Sequence, residues 1–134
     1  MENRYLYRSK RIDNGKWVEG YLIVDEKDYS KYFIGYVLGT NEDGTPHDLD
    51  AVQVDPSTIC QCTAMPDKNK KLVFEHDIVW DSDERAFYEI IWNQEDMCWN
   101  VEDADGHKSE FEECYGSTIE VNGNRFDNPE LLEV

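Results

Sequence analysis

Short runs of alternating hydrophobic and polar residues recur along most of this chain, and turn-forming residues separate them. The runs are rich in aromatic and β-branched residues, whereas Asn, Asp, Gly and Pro lie between them, which is the pattern of β-strands joined by turns. Strands are therefore predicted over residues 18–24, 31–38, 51–54, 58–63, 73–80, 87–92 and 97–102. Their close spacing is typical of a sandwich or small barrel. We expect a mainly β fold, α+β at most.

Three dipeptides mark turns between these strands. Asn-Gly at residues 14–15 lies between two extended runs and predicts a hairpin, because both residue types tolerate the positive φ angles of a tight turn. Asp-Gly at residues 43–44 predicts a turn inside a polar loop over residues 40–50. Asp-Gly at residues 105–106 predicts a further hairpin turn.

Helix signals are few. Residues 129–132 read Pro-Glu-Leu-Leu after an Asp-Asn pair, and proline is favoured at the first position of a helix, so a short final turn of helix is predicted. Residues 109–116 predict either a brief helix or an edge strand, because Phe111 and Tyr115 lie four residues apart with acids between them.

Chain length and composition fit a single compact domain. With 134 residues, of which 40% are hydrophobic and 13% aromatic, the chain can bury a core. No apolar run approaches the roughly 18 residues of a membrane span, and the first residues lack the basic and apolar regions of a signal peptide. We therefore expect a protein that remains in the cytoplasm where it is made, without membrane attachment.

Acidic residues outnumber basic ones, and their distribution is uneven. The formal net charge is -17, and residues 68–134 hold 18 Asp/Glu against 6 Lys/Arg, whereas residues 1–67 hold 12 against 7. An acidic surface repels nucleic-acid backbones and anionic membranes, so direct binding to either is not expected. A basic protein is the natural partner. The alternative is that the charge serves only to keep the protein soluble.

Four cysteines allow two interpretations. Cys60 and Cys62 would project to the same face of a strand, and with Cys98 and Cys114 they could close a tetrahedral zinc site. The Cys-x-Cys spacing is shorter than that of common zinc motifs, however, and the other two cysteines stand alone. Reduced cysteines buried as small hydrophobic residues are the preferred interpretation. We expect no metal and no cofactor.

Two acidic clusters resemble ligand sites. Residues 103–106 followed by Glu112 resemble the second half of an EF-hand loop, but Val101 occupies the first ligand position, so a hairpin turn is preferred to a calcium site. Residues 81–84 form the second cluster, which we interpret as a solvated connector between two strands.

Catalytic chemistry has little support in the sequence. The three histidines, at positions 47, 76 and 107, lie in loops or at strand starts, and no Ser or Cys stands in a nucleophile elbow of the Gly-x-Ser-x-Gly type. Glycine-rich phosphate loops are absent. We therefore predict no catalytic residue and no enzyme activity.

Two segments carry a family pattern. Residues 58–79 follow a pattern that reads roughly Thr-x-x-Gln-aromatic-Thr-Gly-x-x-Asp-Lys-Asn-Gly before Glu-Gly-Asp-Ile-Val. The matching positions are Thr58, Gln61, Thr63, Asp67, Lys68, Asn69, Glu75, Asp77, Ile78 and Val79. With its opening at residues 7–21 and its closing residues 119–132, the chain resembles the YopX family of small bacteriophage and prophage proteins from near residue 4 to near residue 132.

The resemblance implies a β-rich domain with an SH3-like barrel component and no established biochemical activity. Together with the strand pattern, it predicts an N-terminal β subdomain over residues 1–57 and a C-terminal SH3-like small barrel over residues 58–134. The chain departs from the family pattern at Ala64, Lys70 and His76, which replace glycine, and at Cys62, which replaces an aromatic residue. If those glycines have positive φ, each replacement imposes local strain or a different turn.

An acidic binding module is the function that these observations favour. Aromatic residues crowd the predicted barrel, and an aromatic groove beside an acidic rim suits a basic segment of a partner. The partner would be a basic host protein or a nucleic-acid-binding protein. The candidate binding surface consists of Trp80, Asp81, Asp83, Glu84, Trp99, Glu102 and Asp103.

Two other classes of function stay open. The carboxylate clusters or the cysteines could serve a metal-assisted enzyme or a small-ligand sensor. The strand edges of a small β domain would suit a self-assembling structural protein. Association into a homo-oligomer, through strand edges or an exposed aromatic patch, is expected on the same ground.

Overall fold

The computed structural model describes residues 4–133, although not the side chains of residues 113 and 114. These residues form the strands β1 (Tyr7–Lys10), β2 (Trp17–Val24), β3 (Tyr32–Thr40), β4 (Pro46–Val54), β5 (Cys60–Pro66), β6 (Leu72–Phe74), β7 (Asp77–Asp81), β8 (Ala86–Asn93), β9 (Cys98–Glu102), β10 (Lys108–Glu110) and β11 (Ile119–Asn124). Short 3-10 helices cover Pro56–Thr58, Glu113–Ser117 and Pro129–Leu132. The mainly β prediction is confirmed. None of the described helices is long and apolar enough to cross a membrane.

The three predicted glycine turns are confirmed. Gly15, Gly44 and Gly106 have φ angles of 71°, 88° and 86°, which glycine adopts without steric cost. They lie in the connections of the antiparallel pairs β1–β2, β3–β4 and β9–β10. The turn chemistry of the sequence therefore sets these three hairpins.

Two predicted elements have other bounds in the structure, and β11 was not predicted. The run over residues 73–80 is two strands rather than one, because His76 has a φ of 68° and lies in the turn between β6 and β7. The predicted loop over residues 40–50 ends earlier, since β4 begins at Pro46 and pairs with β3. Register shifts between Val37 and Thr40 accommodate this pairing.

Both helix predictions find a counterpart in the structure. The C-terminal helix predicted over residues 129–132 is confirmed as a 3-10 helix with Pro129 in its first turn. Residues 109–116 combine the two predicted alternatives, because β10 ends at Glu110 and a 3-10 helix begins at Glu113.

The chain forms two compact units, of which the N-terminal unit is Tyr5–Gln61. Its strands follow the order β4-β3-β2-β1, all antiparallel, and β1 also pairs with the start of β5. Ile34 and Val54 are fully buried in this unit. The buried hydroxyl groups of Ser9 and Thr58 lie 2.8 Å apart.

The C-terminal unit begins at Cys62 and contains a five-stranded antiparallel sheet in the order β10-β9-β8-β7-β11. The end of β5 pairs with β6 in the same unit. Its hydrophobic core consists of Val73, Val79, Ile90, Val101, Phe111 and Ile119. The SH3-like barrel and the subdomain boundary after residue 57 stay predictions.

Candidate functional site

A cleft of about 640 Å³ opens on the surface of the C-terminal unit. Its lining comes from β7 and β8 with their connecting turn, from the turn between β9 and β10, and from the 3-10 helix Pro129–Leu132 with the residue that follows it. Trp80, Phe87, Leu131 and Leu132 supply the large apolar side chains. We name this site the acidic cleft because carboxylates supply most of its other side chains.

Trp80 and Phe87 form the aromatic part of the acidic cleft. They are direct partners in the antiparallel register of β7 and β8, and their ring centroids lie 4.8 Å apart in an edge-to-face arrangement. Successive residues of a strand point to opposite faces, so Trp80 lies on the face opposite the core residue Val79. Both aromatic side chains are half-buried. Their remaining exposed surface can contact a further apolar or cationic group.

Acidic side chains dominate the polar lining. Asp103, Asp105, Glu130 and Glu133 line the acidic cleft, and Arg85 is the only basic residue among the described residues that line it. Three of the four acids are exposed, and Asp103 is half-buried. Four carboxylates beside one guanidinium create a negative potential that attracts cationic groups.

Asp103 is fixed by its own turn. Its Oδ1 accepts hydrogen bonds from the backbone N–H groups of Asp105 and His107, each at 2.9 Å. Its Oδ2 lies 3.1 Å from Nδ1 of His107. The backbone hydrogen bond from His107 is the main cause that lowers the pKa of Asp103 below its ordinary value. The cleft therefore presents a fixed, ionised carboxylate at neutral pH.

Within the described part of the chain, one group of potential metal ligands occurs, and it lies in the same turn. The ligand atoms of Asp103, Asp105 and His107 all lie within 4.8 Å of one another. However, Asp105 and His107 are exposed, and Asp103 already uses both carboxylate oxygens in its turn. Carboxylates that accept backbone N–H groups in this way build hairpin turns without an ion.

The residues predicted as the binding surface separate in the structure. Trp80 and Asp103 line the acidic cleft. Asp83 and Glu84 are exposed in the turn between β7 and β8, outside the cleft lining. Glu102 is half-buried at the end of β9, where it pairs with β8.

The prediction that places Asp81 on this surface is wrong. Asp81 is only 1% exposed, and it accepts hydrogen bonds within the turn between β7 and β8. Its Oδ1 accepts the N–H of Asp83 at 3.0 Å, and its carbonyl accepts the N–H of Arg85 at 2.8 Å. Trp99 is half-buried and packs against the core, with its ring centroid 5.2 Å from that of Trp92.

Sequence reasoning missed part of the acidic cleft. Phe87 follows from the hairpin register of β7 and β8, which places it opposite Trp80. Glu130 and Glu133 flank two leucines at the predicted C-terminal helix. This combination of acids and apolar residues was the available signal for their place in the cleft lining. Arg85 has a φ of 55° without being glycine, so no turn signal in the sequence marks it.

Three residues that replace family glycines are strained in the structure. Ala64, Lys70 and His76 have φ angles of 65°, 66° and 68°. The condition of positive φ at these positions is therefore met in this chain. Side chains with a Cβ are disfavoured in this left-handed region, so each position stores local strain.

His76 is held in its strained conformation by several contacts. Its N–H donates to the carbonyl of Ile90 at 2.7 Å, and its carbonyl accepts the N–H of Arg125 at 3.0 Å. Its Nδ1 lies 2.8 Å from a carboxylate oxygen of Glu89, which is also 3.3 Å from Nη1 of Arg125. The imidazole ring meets Phe126 edge to face at 5.7 Å. This cluster stabilises the turn and does not line the acidic cleft.

The described cysteines are packed within the protein. Cys60 and Cys62 are 0% and 1% exposed, and Cys98 is half-buried. The Cys60 thiol donates to the carbonyl of Thr58 at 3.2 Å. Among the described residues, no group of three potential metal ligands includes a cysteine. The side chain of Cys114, the fourth member of the zinc hypothesis, lies outside the described residues.

Comparisons with known proteins identify a family. A search of curated proteins found no match. The family model described as YopX protein matches residues 6–133, nearly the whole chain. The chain therefore belongs to the YopX family.

Proposed function

We propose that this chain is a non-enzymatic binding module whose acidic cleft takes a basic segment of a partner protein. The observation that carries the proposal is the meeting of one aromatic pair and four carboxylates in a single cleft. The partner is a basic host protein or a nucleic-acid-binding protein, because such proteins present exposed Lys- and Arg-rich segments.

The apolar part of the acidic cleft selects the centre of the bound segment. Trp80, Phe87 and Leu131 offer contact surface to one apolar or aromatic side chain. Buried aromatic contacts near the centre of an interface commonly carry most of its binding energy. The bound segment therefore contains an apolar residue between its basic residues.

The carboxylates select the flanks of the segment. Asp103 and Asp105 lie in one turn, whereas Glu130 and Glu133 belong to the C-terminal 3-10 helix region, so acids from two separate parts of the chain line the same cleft. Lys and Arg side chains on either side of the apolar residue would meet these acids. The surplus of acids in the C-terminal unit also accelerates the approach of a basic partner at low salt.

The exposure of these carboxylates supports binding rather than catalysis. Carboxylates that act as general acids or bases near neutral pH commonly have a pKa tuned by burial and by neighbouring groups. Asp105, Glu130 and Glu133 are exposed to solvent. Their exposure suits the attraction of cationic groups from solution.

A charge-neutralised variant tests the proposal. The triple variant Asp105→Asn, Glu130→Gln and Glu133→Gln keeps side-chain size and removes three exposed charges from the acidic cleft. Basic proteins are captured from a bacterial lysate with the wild type and with this variant, and affinity for the main captured protein is measured by titration. Because exposed charge pairs contribute about 0.2–1 kcal/mol each, we expect affinity to fall by roughly 3- to 150-fold.

A matched control distinguishes the acidic cleft from net charge alone. The variant Glu26→Gln, Glu42→Gln and Asp48→Asn removes three exposed charges from the N-terminal unit. We expect it to retain nearly full affinity. Equal weakening by both triple variants would show that net charge, and not the cleft, governs binding. Capture of the same protein by all three forms at high salt would contradict the electrostatic part of the proposal.

A further inference from the structure

The N-terminal unit exposes apolar side chains on one face of the sheet formed by β2, β3 and β4. Tyr21 and Ile23 are 55% and 46% exposed, and Leu49 is 65% exposed. The register pairs Tyr21 with Gly35, Gly35 with Ala51, and Val37 with Leu49. Since residues two apart in a strand share a face, these side chains form one surface. We name it the apolar face, consisting of Tyr21, Ile23, Gly35, Val37, Leu49 and Ala51.

A hollow of about 360 Å³ lies in the apolar face. Gly35 and Ala51, the two smallest residues of the face, pair directly at its floor. A Cβ atom at position 35 would stand only 2.7 Å from Cδ1 of Ile23, so a larger residue there would push the Ile23 side chain aside and begin to fill the hollow. Larger side chains surround the hollow, among them Tyr21, Val37 and Leu49.

We propose that a second copy of this chain docks on the apolar face and forms a two-fold symmetric dimer. In such a dimer the same surface faces itself, so a usable surface must contain both projections and a recess for them. The apolar face contains both, because exposed Leu49 and Tyr21 stand beside the small residues Gly35 and Ala51. The projections of each copy enter the hollow of the other.

The distribution of charge makes the apolar face a suitable place for two copies to meet. Two copies, each with a net charge of -17, repel each other, and the repulsion is weakest where the contact contains few charges. All six residues of the apolar face are uncharged. Asp50 is the one acid among the described residues that line the hollow, and it accepts a hydrogen bond from the Tyr36 hydroxyl at 3.1 Å.

Acidic residues guard the part of the β4 edge that does not pair with residues 10–12, so the dimer contact falls on the face of the sheet and not on its edge. β4 is the last strand in the order of the N-terminal unit and is exposed along most of its length. Exposed edges invite uncontrolled pairing with other chains, and natural proteins cover them or place charges on them. Asp48 and Asp50 supply such charges on β4. The apolar face, which extends from β4 to β2, remains for the dimer contact.

Sedimentation velocity over a range of protein concentrations tests the dimer. We expect a reversible equilibrium between the 15.7 kDa monomer and a species of twice that mass. Because salt screens the repulsion between acidic copies and leaves apolar contacts in place, the dimer should strengthen from about 50 mM to about 500 mM NaCl. A monomer at every concentration up to about 1 mM, in both salts, would overturn the proposal.

Two matched variants locate the contact. Leu49→Asp places a charge on the apolar face, whereas Leu38→Asp makes the same change at a residue that is 58% exposed and does not line the hollow. A symmetric dimer receives each change twice, so Leu49→Asp should raise the dissociation constant at least about 100-fold. Leu38→Asp should leave it within about threefold. Equal effects of the two variants, or no effect of Leu49→Asp, would overturn the assignment.

Discussion

The two units of this chain expose opposite kinds of surface. The N-terminal unit, Tyr5–Gln61, contains 6 Lys/Arg and 10 Asp/Glu, whereas the residues from 62 to 134 contain 6 and 19. Among the described residues, exposed large hydrophobic side chains show the reverse distribution. Nine lie in the N-terminal unit and two, Trp92 and Met97, lie in the C-terminal unit.

This contrast separates two kinds of interaction by their response to salt. Binding of a basic segment to the acidic cleft gains from charge attraction, so it should weaken as salt rises. Contact through the apolar face works against charge repulsion, so it should strengthen under the same change. One experimental variable therefore moves the two proposed activities in opposite directions.

The first prediction separates core residues from surface residues in the two units. Ile90→Ala should lower the free energy of unfolding by about 2–5 kcal/mol, because Ile90 is fully buried in the core of the C-terminal unit. Leu49→Ala should change it by no more than about 0.5 kcal/mol, since Leu49 is exposed. Urea unfolding at a concentration where the chain is monomeric measures both. A loss at Leu49 equal to that at Ile90 would show that the apolar face is an internal core surface.

The second prediction separates acids that hold the C-terminal unit together from acids that bind. Asp67 is buried, and its carboxylate accepts backbone N–H groups from Asn69, Lys71 and Val121 at 2.8, 2.9 and 3.0 Å. Asp67→Ala leaves these donors without their acceptor and should cost about 2–4 kcal/mol of unfolding free energy.

Glu120 provides the control for Asp67. It makes a partly exposed ion pair with Lys68 at 3.5 Å, so Glu120→Ala should cost less than about 1 kcal/mol. Thermal or urea unfolding of the two variants gives the comparison. If Asp67→Ala is as mild as Glu120→Ala, the acids of the C-terminal unit do not divide into structural and surface groups.

The third prediction concerns the strained positions of the C-terminal unit. Ala64→Gly and Lys70→Gly relieve left-handed strain and should each raise the unfolding free energy by about 0.5–1 kcal/mol. His76→Gly should not, because it also removes the contacts of the imidazole with Glu89 and Phe126. Stabilisation by all three changes would show that the His76 cluster contributes nothing to the fold.

The fourth prediction has the smallest expected effect and concerns the turn in the acidic cleft. The pKa of Asp103 is lowered in the folded protein, chiefly by the backbone hydrogen bond from His107. Its stabilising contribution is therefore present above the unfolded pKa and is lost as pH falls through the folded pKa. Asp103→Asn retains a side-chain acceptor for the turn but removes the charge.

Melting temperatures of the wild type and Asp103→Asn test this sign. The advantage of the wild type should be largest near neutral pH and should shrink as the solution is acidified below the ordinary pKa of aspartate, 3.8. A difference that stays constant between neutral and acidic pH would show that the charge of Asp103 does not support the turn.

The sequence predicted hairpins where glycine marked them and failed where other residues take its place. Gly15, Gly44 and Gly106 gave correct turns, because glycine is the usual residue at positive φ. His76 also has positive φ, and without a glycine signal the two strands around it merged into one predicted run. Met97, in the connection between β8 and β9, also has a positive φ, of 54°. Because it is not a glycine, the sequence did not mark that turn.

The candidate site was predicted only in part because burial depends on tertiary structure. Trp80 and Asp103 could be found from an aromatic strand residue and a turn acid, and both line the acidic cleft. Asp81 looked equivalent to its acidic neighbours in the sequence, yet in the structure it is buried and accepts a hydrogen bond from the following turn. Glu130 and Glu133 are distant in sequence from Trp80, so only the folded chain brings them into the same cleft.

The most direct test of the two-surface account measures partner binding and self-association of the same variants at about 50 mM and about 500 mM NaCl. The account predicts that neutralising Asp105, Glu130 and Glu133 weakens binding of the basic partner and leaves the dimer intact. It predicts that Leu49→Asp weakens the dimer and leaves partner binding intact. In the wild type, salt should weaken partner binding and strengthen dimerisation. Loss of both activities in a single variant, or the same direction of salt dependence for both, would contradict it.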